Sequence, residues 1–494
     1  MIDRVAANRL FFSRVTQSIL IVCAAVLVLS YWSAMASASV IDWNAARIYP
    51  AFLLAGGISP YATAANGLVT GWIYGPVMPL LHFPATLAPT ITSAMLVSAA
   101  INLLALTGPM VLILEDAARR AGLSRRERGC TVLASLGLLP VFPVLRDYLV
   151  WVHCDQVAIG LTLLSGWFLI RARREPSNLT LGSAAVLAVL AVWTKQIAVM
   201  IPLAQLFYLG AWRRDFTGLW RYFIWLLGAG VVVSAAAVFV FGTGPLVFSL
   251  WVVPSGHPFR GWAVLLNYAG VFAIHAGVCV GLTVLLARLA RNAPVQPAAD
   301  FQTDLLGLLL VTAACEVPLN LLAACKVGGS SNSFHALPLF FLAMFVAWIA
   351  AAGWWRQRIL PTQTFLVASA SALAGATLLL AANKFHLSLS SRFEVARTIA
   401  EQHPGRVYFP QNPLIVWWTE RKPQPLEYGL VDLSMAGFPE TRSRYFESLP
   451  KDLQLVVYPR GQDGAAVQIF PGFKRLNVPG EYDLYGGPLL TTRN

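Results

Sequence analysis

Asp42 is the first residue of this chain whose type and place suggest chemistry, because it stands just past the first hydrophobic span and opens the stretch Asp42 to Tyr61. A carboxylate there can take a proton from a hydroxyl held within hydrogen-bond reach. It can equally cap the free N–H groups of a helix that begins at Asp42 and suit that helix's dipole. From the residues alone both roles stand. Five cations fall at the ends of later apolar runs or beside Asp42, namely Arg47, Arg146, Lys195, Arg260 and Lys326, and each has polar neighbours in sequence. Arg146 precedes His153 and Asp155, Lys195 precedes Gln196, Arg260 follows His257, and Lys326 precedes Asn332 and His335. A patch lined by these residues would hold an anionic lipid phosphate in a partly dry site. Taken singly, each cation would instead snorkel to the interface. Glu316 and His275 lie inside otherwise apolar runs. An ionisable group there is a functional candidate, although a lone histidine such as His275 is more simply a hydrogen-bonded core residue.

The elements that must position these residues are membrane helices. Hydrophobic residues make up 57% of the chain and charged residues 12%, which excludes an ordinary soluble protein and requires many crossings. At about 20 apolar residues per crossing, spans are expected near 16–38, 91–114, 129–145, 154–171, 179–194, 196–212, 219–241, 262–287, 304–324, 335–354 and 363–382, about eleven in all. The first is read as an uncleaved anchor, because its apolar run is long for a signal sequence. Residues 42–55 carry Trp43, Ile48, Tyr49, Phe52 and Leu53 at near-helical spacing, and Gly56, Gly57 and Pro60 end the run. The expectation is a short amphipathic helix on the membrane surface. Gly75 to Ala88 is apolar but short and broken by Pro76, Pro79 and Pro84, so it is read as re-entrant or juxtamembrane.

The formal net charge of +13 raises nucleic acid as a partner, but the positions of the cations favour the membrane. With this set of spans, the loops on the side of the N-terminus hold eighteen Lys and Arg, and those on the other side hold only the five named above. The positive-inside rule then puts the N-terminus in the cytoplasm and Asp42 outside. The six cysteines all lie in or beside apolar runs with no metal-ligand spacing, and they read as packing residues. After 382 the chain turns polar and rich in Pro and Gly. The domain reading is a membrane part, 1–382, whose first outer loop is 39–90, and a small extracytoplasmic α/β domain, 383–494. In the tail a helix is expected over 391–402, a turn at Pro404-Gly405, and strands at 407–409, 453–458, 467–470 and 482–485. Trp417-Trp418 reads as core packing, with sugar stacking as the alternative.

An acid opening the first outer loop, followed by Gly57-Ile-Ser-Pro-Tyr61 and Tyr74-Gly-Pro-Val-Met-Pro-Leu-Leu, resembles the start of GT-C membrane glycosyltransferases, especially the family 87 type with its polyprenyl-phosphate mannosyltransferases. His153-Cys-Asp-Gln, Trp193-Thr-Lys-Gln and Lys326-Val-Gly-Gly-Ser-Ser-Asn are similar to later landmarks in the same order. The resemblance implies a GT-C-like fold and sugar transfer from a polyprenyl-phosphate donor to a lipid or glycan acceptor at the outer membrane face. It casts Asp42 as general base and Lys195, Lys326, Arg260 and Arg146 as holders of the donor phosphate. Substrate contacts would come from Arg47, Tyr61, Tyr74, His153, Asp155, Gln196, His257, Asn332, His335 and Glu316. Many members of the superfamily carry a second acid beside the first, whereas Trp43 stands there in this chain. Without a paired-acid motif the expectation is metal-independent, inverting transfer with no cofactor. The competing classes are a transporter or lipid-linked sugar flippase, which often shows two related halves, and a glycan ligase or polymerase.

Overall fold

In hydrocarbon every backbone N–H and C=O must be satisfied within the segment, so long apolar runs fold as helices. The computed structural model describes residues 2–38, 42–291, 299–352, 361–382, 392–459, 469–470, 472–476 and 482–486. Each expected span overlaps a helical segment, with one of them broken: Ile2–Ala38, Ile91–Arg120, Arg125–Leu138, Cys154–Arg174, Asn178–Val192, Gln196–Trp212, Phe216–Phe241, Trp262–Arg291, Ala299–Cys325, Ala336–Ala350 and Pro361–Ala382. Five are long and apolar enough to cross a membrane by themselves: Ser18–Ala36, Ile91–Arg120, Phe216–Phe241, Trp262–Arg291 and Asp300–Cys325. Exposed side chains such as Phe239, Val240, Leu266 and Ile274 mark surfaces suited to lipid.

The expected single span over 129–145 is a correction. Its helix stops at Leu138, a 3-10 turn covers Leu139–Val141, and a separate helix runs over Pro143–Val150. Pro140 and Pro143 lack the N–H that would continue the ladder. Gly75 to Ala88 folds as two single turns, Val77–Leu81 and Phe83–Leu87, far too short to cross.

The helix Asp42–Ala55 forms where expected, but it does not lie on a membrane surface with one face in water. Ten of its residues are buried. Ile48, Phe52 and Leu53 share one core with Phe393, Leu414, Trp417 and Leu455, so the tail provides the second apolar surface that closes over it. The tail carries helices Arg392–Gln402, Leu414–Glu420, Glu427–Met435 and Thr441–Glu447 beside a sheet. Its strands are β1 (Val407–Tyr408), β2 (Leu455–Pro459), β3 (Lys474–Leu476) and β4 (Tyr482–Gly486), in the order β1-β2-β4-β3. β1 runs parallel to β2 with Val407 opposite Leu455, and β4 is antiparallel to both its neighbours. The strand expected over 467–470 is absent at Ile469 and Phe470, where Phe470 instead packs on Tyr408, Phe446 and Phe473; residues 467 and 468 lie outside the described residues. Trp417 is buried in the shared core and Trp418 lies 5.8 Å from Phe52, the packing role expected of the pair.

Two glycines fix how closely the layers meet. Gly71, at φ +63°, would place a Cβ 2.3 Å from the Gly429 Cα, so the first loop and the tail touch backbone to backbone. A Cβ on Gly75 would lie 1.5 Å from the Trp193 carbonyl oxygen. At the end of the bundle opposite the tail, Arg173, Arg174 and Arg213 converge on the buried carboxylate of Asp304 at 3.0, 2.8 and 2.9 Å.

Candidate functional site

Four sequence-separated motifs meet on the tail side of the bundle. The contact of Gly75 with Trp193 is extended by its N–H donating to the Thr194 carbonyl at 3.2 Å. The Gln196 amide donates to the carbonyls of Ile73 at 2.6 Å and Leu250 at 3.1 Å. Tyr61 is buried, and its hydroxyl donates to the Tyr74 carbonyl at 2.9 Å. Tyr61 and Gln196, expected to contact substrate, therefore commit these groups to holding the first loop against its neighbours.

Asp155 is the centre of this convergence and is wholly buried. The Lys195 ammonium and the His335 Nε2–H donate to its Oδ1, while the His153 Nδ1–H and the Asn332 amide, the latter at 3.1 Å, donate to Oδ2. Four donors fill the four lone-pair sites of one carboxylate. On the far side of the His153 ring, Nε2 lies 3.4 Å from the Tyr74 hydroxyl. Burial drives the His153 pKa down to about 4, with Asp155 only partly opposing it. The imidazole is thus neutral at physiological pH and can accept from Tyr74. For Lys195 burial also disfavours the charge, but Asp155 outweighs it and holds the lysine above its ordinary value. Tyr148 on the helix Pro143–Val150, which also carries the half-buried Arg146, donates to the Asn332 carbonyl at 2.8 Å. Glu316 is fully buried and accepts from Asn320 at 2.7 Å; Asn320 in turn accepts from the Ala336 N–H at 2.8 Å, at the start of the helix that follows His335.

Asp42 sits beside this hub, at the start of the first-loop helix. The Asn44 side-chain oxygen accepts from the Val152 N–H at 2.9 Å, which ties that helix to the residue before His153. Asp42 itself is buried, and the Asn412 amide of the tail donates to its Oδ1 at 2.8 Å. One turn on, the Arg47 guanidinium lies 4.1 Å over the Trp43 ring and 5.1 Å over the Tyr74 ring. Tyr74 also has the Lys195 ammonium 5.9 Å from its ring centre. No carboxylate pairs with Arg47 among the described residues, whereas Lys195 is paired with Asp155.

The remaining predicted residues form a second group. Lys326 and Phe259 make a β-bridge, and the Arg260 N–H donates to the Cys325 carbonyl at 2.9 Å, so Arg260 and Lys326 are carried side by side. The half-buried Lys326 ammonium donates to the Pro254 carbonyl at 2.7 Å, and burial lowers its pKa. His257 lies 3.2 Å from the Asp432 carbonyl of the tail and 3.9 Å from the Asp432 carboxylate. His275 stays apart, bonding the Val271 carbonyl of its own helix at 2.7 Å, the core role expected of it.

Comparison with protein-family models gives no match, and comparison with curated proteins gives none. Among solved structures, the chain is similar to the crystal structure of ArnT from Cupriavidus metallidurans bound to undecaprenyl phosphate. The identity is 13% and the TM-score 0.56, covering 95% of this chain and 99% of that one. The apo structure of the same protein matches at 12% identity and a TM-score of 0.58, over 96% and 99% of the two chains. This chain has the fold of ArnT. That agreement over nearly both full lengths, tail included, gives the GT-C-like architecture expected from the motifs.

Within this ArnT-like frame, sequence reasoning missed the tail's share of the site. Asn412, Tyr428 and Asp432 all reach the first-loop helix or its neighbours. The Tyr428 ring stands edge-on to Trp43 with centroids 4.7 Å apart. Asn412 sits between Pro410 and Pro413, which signals a turn but not its partner. His153, Cys154 and Asp155 bring ligand-type atoms within 4.8 Å of one another. Because every Asp155 lone pair is taken and an ammonium is one of its partners, this trio fits a metal poorly.

Proposed function

We propose that the chain is an integral membrane glycosyltransferase that moves a sugar from a polyprenyl-phosphate donor to a lipid or glycan acceptor at the tail side of the membrane. The N-terminus and the arginine-rich loops would face the cytoplasm, and the tail the outside. The observation that carries this reading is the placement of Asp42: it opens a helix whose next turn presents Arg47, unpaired with any described carboxylate, in a fold shared with a protein crystallised with undecaprenyl phosphate.

In the reaction, Asp42 accepts the proton of the acceptor hydroxyl as its oxygen attacks the anomeric carbon. The new C–O bond forms while the bond from that carbon to the phosphate oxygen breaks, and polyprenyl phosphate leaves with the electron pair. One displacement inverts the anomeric centre. Arg47 meets the developing phosphate charge, with Lys326 and Arg260 as further cations. Lys195, compensated by Asp155, contributes by orienting Tyr74 and the first loop. The buried Asn412–Asp42 contact fixes the direction of the base. A nearer kinship to the family 87 enzymes, with a mannosyl-type donor, rests on the first-loop and Trp193-Thr-Lys-Gln motifs.

Membranes carrying Asp42→Asn, supplied with a radiolabelled polyprenyl-phosphate sugar, should lose transfer while the purified variant still binds undecaprenyl phosphate. Undiminished transfer would remove Asp42 from the mechanism.

A further inference from the structure

The wall opposite the first-loop helix is built by the tail helix Glu427–Met435. Tyr428 and Asp432 are four residues apart and so share one face, and that face is turned toward the site. Tyr428 meets Trp43, and Asp432 lies beside His257 and within electrostatic reach of Arg47. Their helix neighbours Gly429, Leu430 and Leu433 are buried, whereas the Asp432 side chain keeps 24% of its exposure. An acid left open among packed residues is available to a ligand.

We propose that Asp432 is an acceptor-binding residue, and that the acceptor presents a neutral, hydroxyl-bearing carbohydrate between the tail helix Glu427–Met435 and the helix Asp42–Ala55. This rests on the glycosyltransferase reading above. The argument is one of charge and donor count. A carboxylate at this position repels a phosphate, so it is the wrong group for the donor's anionic end, which Arg47 attracts. It accepts hydrogen bonds from paired hydroxyls, which a sugar supplies. The Trp43 indole N–H is buried with no hydrogen-bond partner among the described residues, a need that a ligand oxygen would satisfy. Tyr428 and Trp43 add aromatic surface beside it. Arg47, stacked on Trp43 and within electrostatic reach of Asp432, and Tyr428, edge-on to Trp43, therefore bring acid, orphaned N–H and rings together beside the start of the first-loop helix, which Asp42 opens.

The test uses the full chain purified in a sugar-free detergent. Its probes are octyl β-glucoside, octyl α-mannoside and undecaprenyl phosphate, with binding read by calorimetry. The wild type is expected to bind at least one alkyl glycoside. Asp432→Asn and Asp432→Ala should weaken that binding by about tenfold or more, Asp432→Glu should weaken it less, and undecaprenyl phosphate affinity should stay within about twofold. A wild type that ignores both glycosides, variants that bind them equally well, or parallel loss of the lipid phosphate would each overturn the proposal. If the glycosides behave as expected but the wild type does not bind undecaprenyl phosphate, the donor reading fails and the role of Asp432 stands.

Discussion

The Asn412 amide donates a 2.8 Å hydrogen bond to Asp42 across 370 residues of chain, so a tail residue aims the acid that opens the first loop. Asn412→Ala should lower kcat by about tenfold through lost alignment and cost about 1 kcal/mol of stability. Asn412→Asp would set a second carboxyl against Asp42, disfavour its ionised form and move the acid limb of the pH–activity profile upward. Wild-type kcat in the first variant together with an unmoved profile in the second would show that the contact is only structural.

Asp155 neutralises Lys195 inside the bundle end, where neither is appreciably exposed. Asp155→Asn leaves that ammonium buried without its counter-charge and should cost about 3–5 kcal/mol. Adding Lys195→Met removes the orphaned charge, so the double variant is expected to melt above the Asp155→Asn protein. Thermal unfolding in detergent checks this, and a double variant less stable than Asp155→Asn would contradict the charge-compensation account.

Arg47 lies over two aromatic faces and forms an ion pair with no carboxylate among the described residues. Arg47→Ala should weaken undecaprenyl phosphate binding by about ten- to a hundredfold, and Arg47→Lys should restore only part of it, since an ammonium neither stacks nor forks onto a phosphate. Equal affinity in all three proteins, measured by calorimetry, would move the phosphate away from Arg47.

His82 is completely buried, neither ring nitrogen has a hydrogen-bond partner among the described residues, and burial takes its pKa from 6.5 to about 4. Above pH 6.5 the residue is neutral in folded and unfolded chains alike. As pH falls through the interval to 4, the unfolded chain binds the proton and the folded one does not, so stability is lost, by at most about 3 kcal/mol from this residue. His153, also near 4, adds a loss of the same sign. His82→Leu should therefore flatten the fall in melting temperature between pH 6.5 and 4 while leaving the pH 7.5 value the same or higher. An unchanged slope would show that His82 takes up its proton as readily in the folded chain as in the unfolded one.

Much of the frame was legible in the sequence because a bilayer leaves few choices. Apolar length gives the helices, and the prolines at 76, 79 and 84 keep Gly75 to Ala88 from crossing. The prolines at 140 and 143 were equally visible, but the hydropathy of their surroundings hid the break they impose. The candidate residues were visible too, as polar exceptions at the ends of apolar runs: Asp42, Arg47, Tyr74, His153, Asp155, Lys195, Lys326, Asn332 and His335.

Which of them act together was not legible. One-dimensional spacing made Lys195 a free cation, whereas the folded chain sets it against Asp155 and pairs Arg47 with no carboxylate among the described residues. It made the helix Asp42–Ala55 a membrane-surface element, because the apolar face that covers it arrives more than 300 residues later, from Phe393, Leu414 and Trp417. Local pattern determined the helices and the kinds of chemistry on offer. Only the tertiary structure decided which charges cancel and which acid the tail aims, because partners so far apart in the chain are chosen by packing and by the need to satisfy buried polar groups.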